Sequence, residues 1–149
     1  MGCTLVAAIL EPERFIAANI GDSRLYHFNG TELRQITHDH SYVAELVRRG
    51  VITEEEANTH PQRNIITRAV GTESRVSADI FCCDWKTGDL LLLCSDGLSG
   101  VLNNAEMASC LVNCSDLDAA CETLIRRALD AGSRDNITVV LAVNDGGNA

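Results

Sequence analysis

No apolar run in this chain is longer than a β-strand, and turn-forming residues separate the runs at short intervals. Thr4–Leu10, Phe15–Ile20 and Arg24–Phe28 are apolar or alternating, and Glu11-Pro12 and Gly21-Asp22 break them apart. Runs of that length between turn residues predict a strand meander. Asn29-Gly30 is the strongest hairpin signal, with Leu33–Ile36 returning as the next strand. A membrane-spanning helix would need roughly 20 consecutive apolar residues, far more than any run here. Met1-Gly2-Cys3-Thr4 has no basic region followed by an apolar one, so no signal peptide is read. Gly2 is not read as a myristoylation site, because position 6 is Val6 rather than Ser or Thr.

The pattern changes after residue 40. Ser41–Arg49 carries Val43, Leu46 and Val47 at helical spacing, with Ser41 as N-cap and Gly50 as the residue past the end. Thr53 and Glu56 form a capping-box pattern that opens a second short helix, which His60-Pro61 ends. Val76–Asp84 and Asp89–Cys94 read as strands around a turn at Lys86-Thr87-Gly88. Helices follow over Asn104–Val112 and Leu117–Ala131. The second has Leu117, Cys121, Leu124, Ala128 and Ala131 on one stripe before Gly132. Ile137–Val143 is a buried strand by length, and the tail Asn144–Ala149 is expected to fray. Strand runs separated by helical pairs give an α+β fold with mainly antiparallel sheets, in one domain of 149 residues without repeats or a linker.

Charge and cysteine content bound the function. Acids outnumber bases by 21 to 12, for a net charge of −9, and no basic run exists. Such a chain has no electrostatic footprint for nucleic acid or an anionic membrane. None of the seven cysteines forms a C-x-x-C pair. Cys110 and Cys114 are about one helical turn apart, but all seven read as free thiols in a reducing, cytoplasmic setting. Adjacent Cys82 and Cys83 point to opposite faces of a strand.

Three acids share one local setting. Asp22 follows Phe15–Ile20, Asp96 follows Leu90–Cys94, and Asp135 precedes Ile137–Val143. Singly, Gly21-Asp22 is an ordinary hairpin turn and Asp135-Asn136 a turn or Asx motif. Asp96-Gly97 is less ordinary, because Leu98–Leu102 does not alternate like a returning strand; Asp96 is there for helix capping or for metal ligation. If the strands are antiparallel, two strand ends and one strand start meet at one rim. Three carboxylates there would repel one another without a cation between them. Oxygen-only ligands suit Mg²⁺ or Mn²⁺ rather than Zn²⁺, and such ions serve phosphate-ester hydrolysis.

Other sites are poorly supported. His38-Asp39-His40 lacks a third ligand and reads as a solvated loop. There is no G-x-S-x-G, no His placed by spacing as a base for Ser95 or Ser99, and no Gly-rich phosphate loop.

The runs Ala18-Asn19-Ile20-Gly21-Asp22-Ser23-Arg24, Leu93-Cys94-Ser95-Asp96-Gly97-Leu98 and Ser133-Arg134-Asp135-Asn136-Ile137-Thr138-Val139-Val140 resemble the metal-dependent protein phosphatases of type 2C, the PPM family. Asp39-His40-Ser41, Glu45–Gly50 and His60–Gly71 resemble the flap of its bacterial members, here about residues 38–71. The resemblance implies an α-β-β-α sandwich of antiparallel sheets and a serine/threonine phosphatase that uses Mn²⁺ or Mg²⁺ to activate a water. It implies that Asp96 and Asp135 are ligands of the paired metals, and that Asp22 with Asp96 holds a third. It names phosphoproteins as substrates and a serine/threonine kinase as a candidate partner.

Two departures stand out. Gly100 occupies a place where some members have Asp, and Cys3 one where Thr is common. The family's initial segment, with a phosphate-binding Arg, an early acidic ligand and an Asp-Gly-x-x-Gly-His motif, is absent. The chain is therefore expected to be the C-terminal part of the domain, as a fragment or as a natural truncation. An enzyme, or a piece of one, is the first expectation; a non-catalytic phosphatase-like module that binds a kinase or phosphoprotein is the alternative.

Overall fold

A computed structural model describes residues 1–147. Its elements run β1 (Leu5–Leu10), β2 (Arg14–Ile20), β3 (Arg24–Phe28), β4 (Leu33–Gln35), α1 (Tyr42–Arg48), α2 (Glu54–Thr59), β5 (Asp79–Asp84), β6 (Leu90–Cys94), α3 (Asp96–Ser99), α4 (Asn104–Leu111), α5 (Leu117–Asp130) and β7 (Val139–Val143). Every named strand pairing is antiparallel. The strands form a three-stranded sheet in the order β1-β2-β5 and a four-stranded sheet in the order β4-β3-β6-β7.

Alternation along the strands assigns each side chain to a layer. Phe15 and Ala17 of β2, Leu25 of β3 and Leu91 of β6 are buried between the sheets with Ile36 and Trp85. On the far side of the four-stranded sheet, Tyr26, Phe28, Leu90, Leu92 and Cys94 pack under the helices, against Met107, Leu111, Ala120, Leu124 and Ala128. β6 is covered on both faces and is accordingly an unbroken apolar run, Leu90–Cys94. Each such Leu contributes about 1.5–3 kcal/mol by leaving water. The outward side chains Leu5, Ile9 and Ile80 of the three-stranded sheet remain exposed. The α+β class and the antiparallel sandwich are therefore as expected, with sheet, sheet and helix as the described layers.

Local signals held where the interaction is local. Ser41 caps α1 by accepting from the Ala44 amide, and Thr53 and Glu56 close a reciprocal capping box on α2. Gly50 adopts φ +69° just past α1, as its position predicts. The Asn29-Gly30 hairpin is present, but its loop spans four residues because the Asn29 side chain accepts from the Thr31 and Glu32 amides. β5 begins at Asp79, not Val76, and Asp79 is held there by Arg68 and His40. Ala131 lies outside the core, since α5 has already ended at Asp130. The first tail residue, Asn144, is docked: it is buried, donates its backbone N–H to the Asp89 carbonyl, and donates its side-chain amide to the Pro12 carbonyl (2.8 Å), while Asp145–Gly147 are exposed. Asn148 and Ala149 lie outside the described residues. All seven cysteines are free, Cys82 faces solvent and Cys83 is half-buried on the other side.

Candidate metal site

Strand register carries the three acids to one rim. In the four-stranded sheet Arg24 is opposite Cys94, and Cys94 is opposite Val139. Asp22 therefore sits two residues before the start of β3, Asp96 two beyond the last residue of β6, and Asp135 four before β7, all at the same end. The Gly21-Asp22 turn needs glycine: φ is +106°, and a Cβ would lie 2.4 Å from the Thr4 side chain.

The Asp96 and Asp135 segments are tied to each other through Ser95 and Gly97. The Ser95 N–H donates to the Thr138 carbonyl, the Ser95 hydroxyl accepts from the Thr138 N–H (3.0 Å), and it donates to the Asn136 carbonyl (3.1 Å). Asp96 then opens the single turn α3. The N-cap position is Ser95, which makes no side-chain cap bond, and Asp96 is the first residue of the turn rather than its N-cap. From the other side, α5 ends in a Schellman motif, Gly132 N–H to Leu129 and Ser133 N–H to Ala128. The Ser133 hydroxyl next donates to the Gly97 carbonyl (2.7 Å), so the end of α5 sets where Asp135 begins.

Like charge accumulates at this rim. Burial, followed by the nearby Asp96 and Asp39 carboxylates, pushes the Asp22 carboxyl up to about 6. The Asp96 carboxyl is raised by its packed side and then by Asp135, although the residue as a whole is exposed. Asp22 thus feels Asp96, and Asp96 feels Asp135. Among the described residues no three His, Cys, Asp or Glu side chains gather closely enough to form a ready-made cage. The donor set of this rim, carboxylates carrying unneutralised repulsion, fits a hard divalent cation that keeps several waters. A cysteine nucleophile is not in prospect: burial pushes the Cys94 thiol up to about 12.

The family model for protein phosphatase 2C matches residues 1–142. The chain belongs to the protein phosphatase 2C family. It is 45% identical to a serine/threonine phosphatase, Stp, of Listeria monocytogenes over 145 residues, which are 97% of this chain and 58% of that protein. It is 42% identical to the protein phosphatase PhpP of Streptococcus pneumoniae, covering 95% of this chain and 57% of PhpP. The crystal structure of Stp1 from Staphylococcus aureus superposes with a TM-score of 0.90 at 45% identity, over 94% of this chain and 55% of that one. The catalytic domain of PstP, solved in complex with two manganese ions, gives 0.85 at 38% identity over 96% and 59%. The chain spans less than two thirds of the length of these relatives.

Within this phosphatase fold, sequence reading missed Asp39 and His40. The segment His38–His40 is not a solvated loop: His40 is 3% exposed and Asp39 is half-buried. Asp39 receives the Arg24 guanidinium in a fork (Nε–Oδ1 2.9 Å, Nη2–Oδ2 2.7 Å) and the Gln35 amide (3.1 Å). Arg24 also donates to the Tyr26 hydroxyl (3.0 Å). Asp39 therefore brings its charge to the rim with its own cation attached. No sequence signal marks the contact, because Asp39 meets Arg24 across 15 positions.

Proposed function

We propose that this chain carries part of the metal centre of a serine/threonine protein phosphatase, which hydrolyses phosphoserine and phosphothreonine in proteins with Mn²⁺ or Mg²⁺. The reading is supported by one observation above all: strand register brings Asp22, Asp96 and Asp135, from three different segments, to one rim of mutually repelling carboxylates. In this reading Asp96 and Asp135 hold an ion of the paired centre, and Asp22 with Asp96 holds a further one. A bound divalent ion there would acidify a water and offset charge on a phosphoryl group. The protein's own share is geometric. Ser95 and Gly97 keep the Asp96 and Asp135 segments in contact, Gly21 sets the Asp22 turn, and the Arg24 fork offsets part of the charge that Asp39 adds beside Asp22.

The flap, residues 38–71, is proposed to shape access to this rim, a serine/threonine kinase to be the opposing enzyme, and the cytoplasm to be the compartment. The free thiols support the last of these, and no helix among the described residues is long and apolar enough to cross a membrane.

The experiment joins this chain to an upstream segment bearing the Asp-Gly-x-x-Gly-His motif and follows phosphate release from a phosphothreonine peptide with Mn²⁺. The joined protein should turn over, and Asp96→Asn should abolish turnover. The 149-residue chain alone should hydrolyse p-nitrophenyl phosphate no faster than its Asp96→Asn variant. Metal-independent turnover, or turnover indifferent to Asp96, would refute the proposal.

A further inference from the structure

His40 grips Gly21 through both of the peptide units that flank its Cα. Its backbone N–H donates to the Gly21 carbonyl (2.9 Å), and its Nδ1 faces the Gly21 N–H at 2.9 Å. Because a backbone N–H can only donate, Nδ1 must be the acceptor, and the ring proton sits on Nε2. Nε2 in turn lies 2.8 Å from Oδ2 of Asp79, whose Oδ1 takes the Arg68 guanidinium at 2.6 Å. The His40 carbonyl accepts from the Thr67 N–H (2.9 Å). The neighbouring carbonyls of His38 and Gly21 both accept from the buried Asn19 amide (2.9 and 3.4 Å).

Every polar atom of this 3%-exposed histidine is thus directed at the Gly21-Asp22 turn, at Thr67 near the end of the flap, or at Asp79 where the chain enters β5. Gly21 has no side chain of its own to fix that turn, and the turn's φ of +106° is open only to glycine. An external clamp is what keeps the following residue, Asp22, aimed at the rim.

We propose that His40 is a positioning residue for Asp22, holding the Gly21 peptide through Nδ1 while Nε2–H anchors the ring to the Asp79–Arg68 pair at the flap's return. The proposal rests on the reading of Asp22 as a metal-site acid. It makes the aim of Asp22 depend on contacts at the base of the flap, because a shift of Asp79 would draw the ring away from Gly21. The hydrogen bond from His40, followed by the one from Arg68, holds the Asp79 carboxyl below its ordinary range, which keeps it a charged acceptor.

The test uses the whole 149-residue chain. In the unsubstituted protein, long-range ¹H–¹⁵N correlation of the His40 ring should show the proton on Nε2 and none on Nδ1. His40→Asn places an amide oxygen close to where Nδ1 stands, short of Asp79. His40→Gln reaches toward Asp79 and leaves Gly21 without its acceptor. The Gly21 amide should exchange at close to its normal rate in His40→Asn, and about tenfold faster in His40→Gln, the effect of losing one hydrogen bond. Broadening of the Asp22 amide by added Mn²⁺ should persist in His40→Asn and fade in His40→Gln. A ring proton on Nδ1, or equal Gly21 exchange in the two variants, would overturn the proposal, and the ring spectrum decides even if neither variant folds. Absence of Mn²⁺ broadening in the unsubstituted chain would instead remove the metal reading of Asp22, with tautomer and Gly21 exchange still deciding the role of His40.

Discussion

A Cβ on Gly97 would lie 2.3 Å from the carbonyl oxygen of Asn136. Glycine at 97 is therefore required by the neighbouring loop before β7 rather than by its own backbone angles. The close approach is what allows the Asp96 turn to rest directly on the Asp135-Asn136 loop. In Gly97→Ala the backbone at Asn136 must retreat, because a carbonyl cannot swing aside as a side chain can. The variant should lose about 1–3 kcal/mol of stability, the range for overpacking, and its affinity for Mn²⁺ should fall as Asp96 and Asp135 separate. Urea unfolding and a Mn²⁺ titration measure the two effects. A variant of unchanged stability and affinity would show that the contact is not what sets the spacing of the two acids.

The Asp22 carboxyl gives a pH dependence with a definite sign. Its proton is retained up to about 6 in the folded chain, against a reference of 3.8. Between those values the native state binds more protons than the unfolded state, so this group makes stability fall as pH rises through the window. Asp79, held below its ordinary range, acts in the opposite direction at lower pH. The difference between the unsubstituted chain and Asp22→Asn removes that contribution. Without metal, the stability of the unsubstituted chain relative to Asp22→Asn should decline from pH 4 to pH 6, as read by chemical unfolding at intervals of pH. A flat difference would place Asp22 in ordinary solvent.

Much of this arrangement is legible in the sequence because its causes are local. The Thr53–Glu56 capping box, the helix stop at Gly50 and the α5 stripe through Leu124 and Ala128 each depend on residues within about a turn of one another. The three acids were also legible, since each borders an apolar strand and antiparallel pairing sends such borders to a common edge. What escaped is non-local. Asp39 meets Arg24 across 15 positions and His40 meets Asp79 across 39, and no spacing encodes either contact. The docking of Asn144 is non-local too, its side chain being held by Pro12 from the far end of the chain.

The flap should be the least protected part of the chain. α2 buries none of its residues and α1 only Val43. The segment is closed at its base by isolated bridges, Ser41 with Ile66 and Cys3 with Val70. Amide exchange over residues 42–65 should be faster than in β2, β3 and β6, whose side chains form the core. Equal protection across residues 24–94 would contradict a separately moving flap.

The most direct measurement of the central claim is paramagnetic broadening of backbone amides on titrating Mn²⁺ into the chain. Signals at Asp22, Asp96 and Asp135 should broaden together, those around His27 and Asp89 at the other end of β3 and β6 should not, and Asp96→Asn should abolish the effect without unfolding the protein. Broadening centred elsewhere, or unchanged by Asp96→Asn, would contradict it.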